Sequence, residues 1–183
     1  MNAPVCSITY KKQEISTKAL EKFYKSLDRH FATVGIHRAE GAVQIANKGY
    51  TMIKNACIQE FGTSYTLDTS VSFKSPFTGK WFHLKQGSVI TIPPRVFIRI
   101  FTEKRLQQEL TSNLKKIIQQ NAYKDAEFVY KQIGDYARLR MKERFLNNEI
   151  KPKNAPMTIA YKGSNTPLYA TGKMSSSIKS EVH

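Results

Sequence analysis

The chain has 183 residues, of which 40% are hydrophobic, and carries 29 lysines and arginines against 14 aspartates and glutamates, a formal net charge of +15. A chain of this length removes roughly 70% of its unfolded surface from water, so it needs no metal or disulfide to fold, and its apolar content excludes a disordered polyelectrolyte. The positive excess is spread along the chain, which suits a polyanion or an acidic protein surface, and no motif of a sequence-specific DNA reader accompanies it.

The first expected element is a helix from Glu14 to Asp28, with Ile15, Ala19, Phe23 and Leu27 on one face and lysines on the other. A short strand follows over His30–His37, where Val34 and Ile36 flank Gly35. A second helix is expected from Glu40 to Phe61, striped by Val43, Ala46, Tyr50, Ile53 and Cys57 and closed by Gly62 as a positive-φ cap. The period then changes to two. Leu67, Thr69, Val71 and Phe73 define one face of a half-buried strand, and Ser75–Gly79 is a turn cluster. Trp81–Lys85 and Val89–Ile92 complete an expected β-meander that Pro93-Pro94 stops. Two long helices come next. Leu106, Leu110, Leu114, Ile117 and Ile118 stripe the first; Val129, Ile133, Ala137, Met141 and Phe145 stripe the second. The break near Asn121 makes them an antiparallel hairpin. From Lys151 the chain becomes loop-rich, with a short strand expected over Met157–Tyr161 and a last strand over Ser175–Val182.

The expected fold class is α+β: helices on a small antiparallel sheet, a long helical hairpin and a C-terminal strand. As one domain it divides into an N-terminal arm (1–12), a core (13–150) and a loop-rich C-terminal segment (151–183) with a closing strand. Met1–Lys12 and Lys151–Pro167 are the candidate arms.

The first residues lack the charged and apolar regions of a signal peptide, and no stretch approaches the ~20 apolar residues of a membrane span, so synthesis in the cytoplasm and no membrane partner are expected. Cys6 and Cys57 form no CxxC pair, and His30, His37, His83 and His183 show no zinc spacing with them. A reduced protein with Cys57 buried and Cys6 free follows. No catalytic, cofactor-binding or metal-ligating set is predicted. Nucleophile-elbow and phosphate-loop motifs are absent, and Glu60, Asp68 and Asp125 have no visible partners for acid–base work. An enzyme is therefore not expected.

Two features are weighed for contact with a partner, and a third basic cluster reads as a solvated face. The hairpin from Lys74 to Lys85 interleaves Phe77, Trp81 and Phe82 with Lys74, Lys80 and Lys85, a mixture found in protein anchors, in base-stacking surfaces and in ordinary half-buried strands. Arg95 and Arg99 stand four apart after the double proline, on one face of the helix expected to open there, where they suit an acidic partner or cap a turn by snorkelling, the reading that spacing alone favours. Arg138, Arg140, Lys142 and Arg144 gather at a helix C-terminus, where the dipole favours cations and a solvated face is the default. Phe77, Lys80, Trp81 and Arg99 are the candidate contact residues.

Three segments in order carry a resemblance: Gln59-Glu60-Phe61-Gly62-Thr63, then Ile92-Pro93-Pro94-Arg95-Val96-Phe97-Ile98-Arg99, then Thr166-Pro167-Leu168-Tyr169-Ala170-Thr171-Gly172-Lys173 with Ser177-Ile178 after it. With Val34-Gly35-Ile36 ahead of them, they resemble the virion-morphogenesis family of tailed phages, which includes tail-completion and neck proteins, over about residues 30–183. The chain departs from that pattern at Val96, where the family usually has proline, at Ala170, where it has aspartate, and at Lys173, where it often has arginine. Phe61, Gly62, Pro93, Pro94, Arg95, Phe97, Leu168, Thr171 and Gly172 are the positions that the resemblance marks as fold-defining.

The resemblance implies a structural virion protein, without cofactor or reaction, that joins head to tail as a ring. Its implied partners are other copies of itself and neighbouring connector, neck or tail-tube proteins, with DNA passing through the ring. The alternative is a stand-alone basic nucleic-acid-binding protein.

Overall fold

The computed structural model describes residues 17–45, 49–121 and 124–183. The expected arm at 1–12, Cys6, Ile15 and Ala46 lie outside them.

The fold is α+β, as expected. Helix α1 (Thr17–Leu27) buries Phe23 and leads to strand β1 (Ala32–Gly35). That strand pairs antiparallel with β6 (Lys179–Val182) at the far end of the chain, Thr33 facing Glu181. The long helix α5 (Ala126–Leu146) lies across this two-stranded sheet. Gly134 permits the approach: a Cβ there would stand 3.0 Å from Ser180 Cβ and 3.6 Å from Ala32 Cβ. Gly134→Val is therefore expected to lower the unfolding free energy by about 1–3 kcal/mol in urea titration. An unchanged midpoint would mean that helix and sheet separate at no cost.

The second expected helix is two. A four-residue helix α2 (Arg38–Gly41) is followed by a bridge between Gln44 and Thr51, and α3 begins only at Met52 and runs to Phe61. Gly49 has φ +83°, which a helix does not accept, and Thr51 caps the new start by accepting from Lys54 N. The buried stripe is consequently Met52, Ala56 and Glu60, not one continued from Val43 through Ile53. Cys57 falls beside it and is exposed, against expectation.

The meander is instead a nested hairpin. Strand β2 (Thr63–Thr66) pairs with β5 (Val89–Ile92), and β3 (Val71–Lys74) pairs with β4 (Trp81–Leu84) inside it. The strand expected over Leu67–Phe73 is interrupted where Gly87, at φ +77°, donates to Leu67 O and Ser70 Oγ accepts from Gln86 N. The turn is as expected: Ser75 Oγ accepts from Phe77 N and Thr78 N, and Gly79 takes φ +70°.

After Pro93-Pro94 the chain is irregular until a 3-10 turn at Arg99–Thr102, and helix α4 spans Lys104–Gln120. Arg95 and Arg99 therefore share no helix face. Helices α4 and α5 form the expected antiparallel hairpin, since Glu103, Glu109 and Asn113 meet Arg144, Arg140 and Tyr136 in reverse order. Part of this seam is ionic: Arg140 lies 2.9 Å from Glu109 and 2.8 Å from Glu143, and Arg144 lies 2.8 Å from Glu103. Hydrogen bonds from the Tyr136 hydroxyl and Arg140 hold the Glu109 carboxyl below its ordinary pKa. The arginines expected on a solvated face are thus paired.

Residues 156–161, expected to contain a strand, form helix α6 (Pro156–Lys162), with proline in its first turn and Gly163 as a left-handed C-cap. Residues 151–167, expected as an arm, are tied down at two places: Pro152 and Lys153 accept from Arg95, and the stretch around Tyr161 lies against the hairpin. Tyr161 meets Phe73, Phe82 and Phe77 edge-on, Ser75 Oγ donates to Tyr161 O, and Thr78 Oγ1 donates to Ala160 O. The last strand is shorter than expected: a helical turn, α7 (Lys173–Ser176), takes the first residues of Ser175–Val182, and β6 begins only at Lys179.

The core gathers Met52, Ala56, Phe97, Ile100, Leu106, Met141, Phe145, Ile150, Met174 and Ile178. Phe97 and Phe145 meet edge-on at 5.5 Å. Among the described residues no helix is long and apolar enough to cross a membrane.

Candidate functional site

Glu60 is the organising residue of this region. Helix α3 carries it on its buried stripe, and the double proline turns the chain back across that stripe. Its carboxylate is 2% exposed and accepts from Phe97 N at 2.8 Å, Ile98 N at 3.0 Å, Arg99 N at 3.2 Å and Arg99 Nε at 3.0 Å. Burial pushes the Glu60 pKa up, but these bonds outweigh it and hold the carboxyl below its ordinary value. Arg99, a candidate contact residue, is the counter-charge of Glu60 with half of its side chain exposed, and its guanidinium lies over the Phe61 ring at 4.5 Å from the centroid.

The neighbouring residue repeats the arrangement with reversed polarity. Arg95 is 6% exposed and donates to Gln59 Oε1, Pro152 O and Lys153 O, while its own N–H donates to Gln59 O at 2.7 Å. Burial lowers its pKa. The first two motif segments are therefore stitched residue by residue, Gln59 to Arg95 and Glu60 to Arg99. Gly62 caps α3 at φ +76°, directly under Ile92 and Pro94.

The third segment closes the same region. Pro167 is fully buried, Leu168 packs on the core at φ +58°, and Gly172, at φ +73°, starts the turn that delivers Met174 and Ile178 to the core. Between the three segments and α6 lies a cavity of about 580 Å³. Ile45, Met52, Ile92, Pro93, Leu168 and Met174 give it apolar walls, and Thr171 and Gly172 form part of its rim. Four cationic residues line it, Arg95, Lys153, Lys162 and Lys173, and no Asp or Glu is among the described lining residues. Lys162 donates to Thr166 O at 2.9 Å; burial, then the charge of Arg95, lowers its pKa.

The remaining predicted contact residues divide. Phe77 lines the cavity and is 49% exposed. Lys80 is exposed at the hairpin tip, and Trp81 is 62% exposed and stacks on His83 at 6.3 Å. Neither of these two lines the cavity.

Lys153, Tyr161 and Lys162 were not singled out from the sequence. The proline and glycine that bracket 156–163 signal the helix that presents two of them. One metal-capable group was also not foreseen: His37, Glu40 and Glu181 bring ligand atoms within 4.8 Å of one another, with His37 Nδ1 3.4 Å from Glu181 Oε1. It joins residues 144 positions apart through the β1–β6 pairing, which sequence spacing does not reveal.

No protein-family model matches the chain, and neither a curated protein nor a solved structure matches it.

Proposed function

We propose that the protein is a structural component of a tailed-phage virion, a neck or tail-completion part that joins head and tail as a ring through protein–protein contacts. The observation that carries this reading is the convergence of the three resembling segments on one junction. There Glu60 caps backbone N–H groups and Arg95 fastens the α5–α6 connection, so both act as fold-defining groups. Head-to-tail ring contacts need two unlike surfaces that meet repeatedly. The exposed hairpin tip, with Lys80 and Trp81, is suited to be one of them, since exposed aromatic anchors concentrate binding energy.

The test is electron microscopy of lysates from a phage deleted for this gene. Free filled heads beside separate tails are expected. Complementation with Trp81→Ala is expected to leave folding within about 0.5 kcal/mol of wild type, as for an exposed site, while reducing the yield of joined particles. Normal infectious particles from the deletion would remove the joining role. They would favour a stand-alone basic nucleic-acid-binding protein, whose affinity for DNA would fall steeply with salt.

A further inference from the structure

The cavity beneath the motif junction gathers cations with no carboxylate among its described lining residues. Arg95 is almost wholly buried, yet its side-chain hydrogen bonds go to an amide oxygen and two backbone carbonyls, which are neutral acceptors. Lys162 likewise donates to a carbonyl. Glu60, whose helix neighbour Gln59 lines the cavity, is already engaged by three backbone N–H groups and Arg99. Arg95 and Lys162, both withdrawn from water beside this space, repel one another, and a carboxylate entering it gains from both. The walls beside the charges are apolar, so the complementary ligand carries an acidic group next to hydrophobic side chains. A volume of about 580 Å³ admits a few residues of an extended segment. A DNA duplex presents its phosphates on a convex surface that cannot enter such a space.

We propose that this cavity is a docking site for an acidic side chain, Asp or Glu, flanked by apolar residues on a segment of a partner protein. The proposal rests on the reading of the protein as one that works by protein contact, and it names the chemistry of one contact. Lys162 and Arg95 hold the carboxylate, the exposed Lys173 guides it in, and Leu168, Met174 and Phe77 cover its neighbours, while Lys153 Nζ stays on Asn148.

The test is calorimetric titration of the full-length protein with the peptides acetyl-Xaa-Asp-Xaa-amide and acetyl-Xaa-Glu-Xaa-amide, where Xaa is Leu or Phe. Asn and Gln counterparts, inorganic phosphate and a duplex oligonucleotide serve as competitors. At least one acidic peptide is expected to bind about tenfold or more tightly than its amide counterpart, and Lys162→Gln is expected to remove most of that difference. Ala170→Asp, which places a carboxylate on the cavity wall, is expected to abolish peptide binding and raise the melting temperature by relieving the cation repulsion. This second variant keeps the test decisive if Lys162→Gln folds poorly.

Equal binding of acidic and amide peptides, or no binding of any, overturns the proposal. So does phosphate competing as well as the best peptide, which would leave a bare anion site, and so does displacement of the peptide by the duplex. None of these outcomes alters the deletion phenotype, so the joining role stands or falls separately.

Discussion

Glu60→Ala is expected to lower the unfolding free energy by about 3–5 kcal/mol, because it strands buried donors without a replacement acceptor. Three consecutive backbone N–H groups, Phe97 to Arg99, converge on this one carboxylate, and Phe97 is itself fully buried, so water cannot readily take its place. Arg99 can turn to solvent, since half of its side chain is exposed, and contributes less to the loss. Glu60→Gln is expected to be only partly protective. Oε2 takes two N–H groups and Oε1 takes Arg99 N and Nε, so an amide nitrogen would face donors in either orientation.

The same carboxylate predicts a pH dependence. Its folded pKa lies below the ordinary 4.5, so the stability it contributes is fully present above the unfolded value and is lost as pH falls through the folded one. Urea titrations from pH 7 downward should show the gap between wild type and Glu60→Gln closing below about pH 4.5. A gap that stays constant, or an Ala variant with an unchanged midpoint at pH 7, would remove Glu60 from its organising role.

Gly62→Ala is expected to cost about 3–5 kcal/mol, the sum of backbone strain and overpacking. At φ +76° and ψ +169° the residue occupies a region that is essentially restricted to glycine. An added Cβ would stand 2.8 Å from Pro94 N, 2.9 Å from Ile92 O and 2.9 Å from Pro94 Cδ, none of which can swing aside. Gly172→Ala is the matched comparison. Its φ is +73° in the left-handed helical region, and the nearest atoms, those of the Tyr169 ring, begin at 3.7 Å, so it should cost only about 1–2 kcal/mol. Urea midpoints for the two variants check the difference. Equal losses would show that the close approach of Pro94 is not what demands glycine at position 62.

The elements with strong local signals were legible. The stripe of Val129, Ala137, Met141 and Phe145 is the buried face of α5, and Gly62 caps α3, because a helix period and a positive-φ cap are written within a few residues. The turn at Ser75–Gly79 was legible from its turn residues, whereas of the strand expected over Ser175–Val182 only Lys179–Val182 forms, because Lys173–Ser176 closes a helical turn first. A local pattern misleads where the chain breaks it. Gly49 and Thr51 interrupt what looked like one helix, which shifted the expected stripe and placed Cys57 inside. Alternation over Leu67–Phe73 could not reveal that β2 passes β3 and β4 to pair with β5, since strand propensity carries no partner identity.

The candidate site divides in the same way. By itself the sequence determined which segments are unusual, Gln59–Thr63, Ile92–Arg99 and Thr166–Lys173, because glycine, double proline and turn residues constrain the backbone locally. It also determined the basic charge and the α+β class. Only the tertiary structure decided that Glu60 would meet three N–H groups from residues 37 to 39 positions away, that Arg99 would be its counter-ion rather than a free contact, and that four cationic residues would line one cavity without a carboxylate among the described lining residues. A charge's role depends on what surrounds it in space, and burial and long-range pairing arise only when the chain closes on itself.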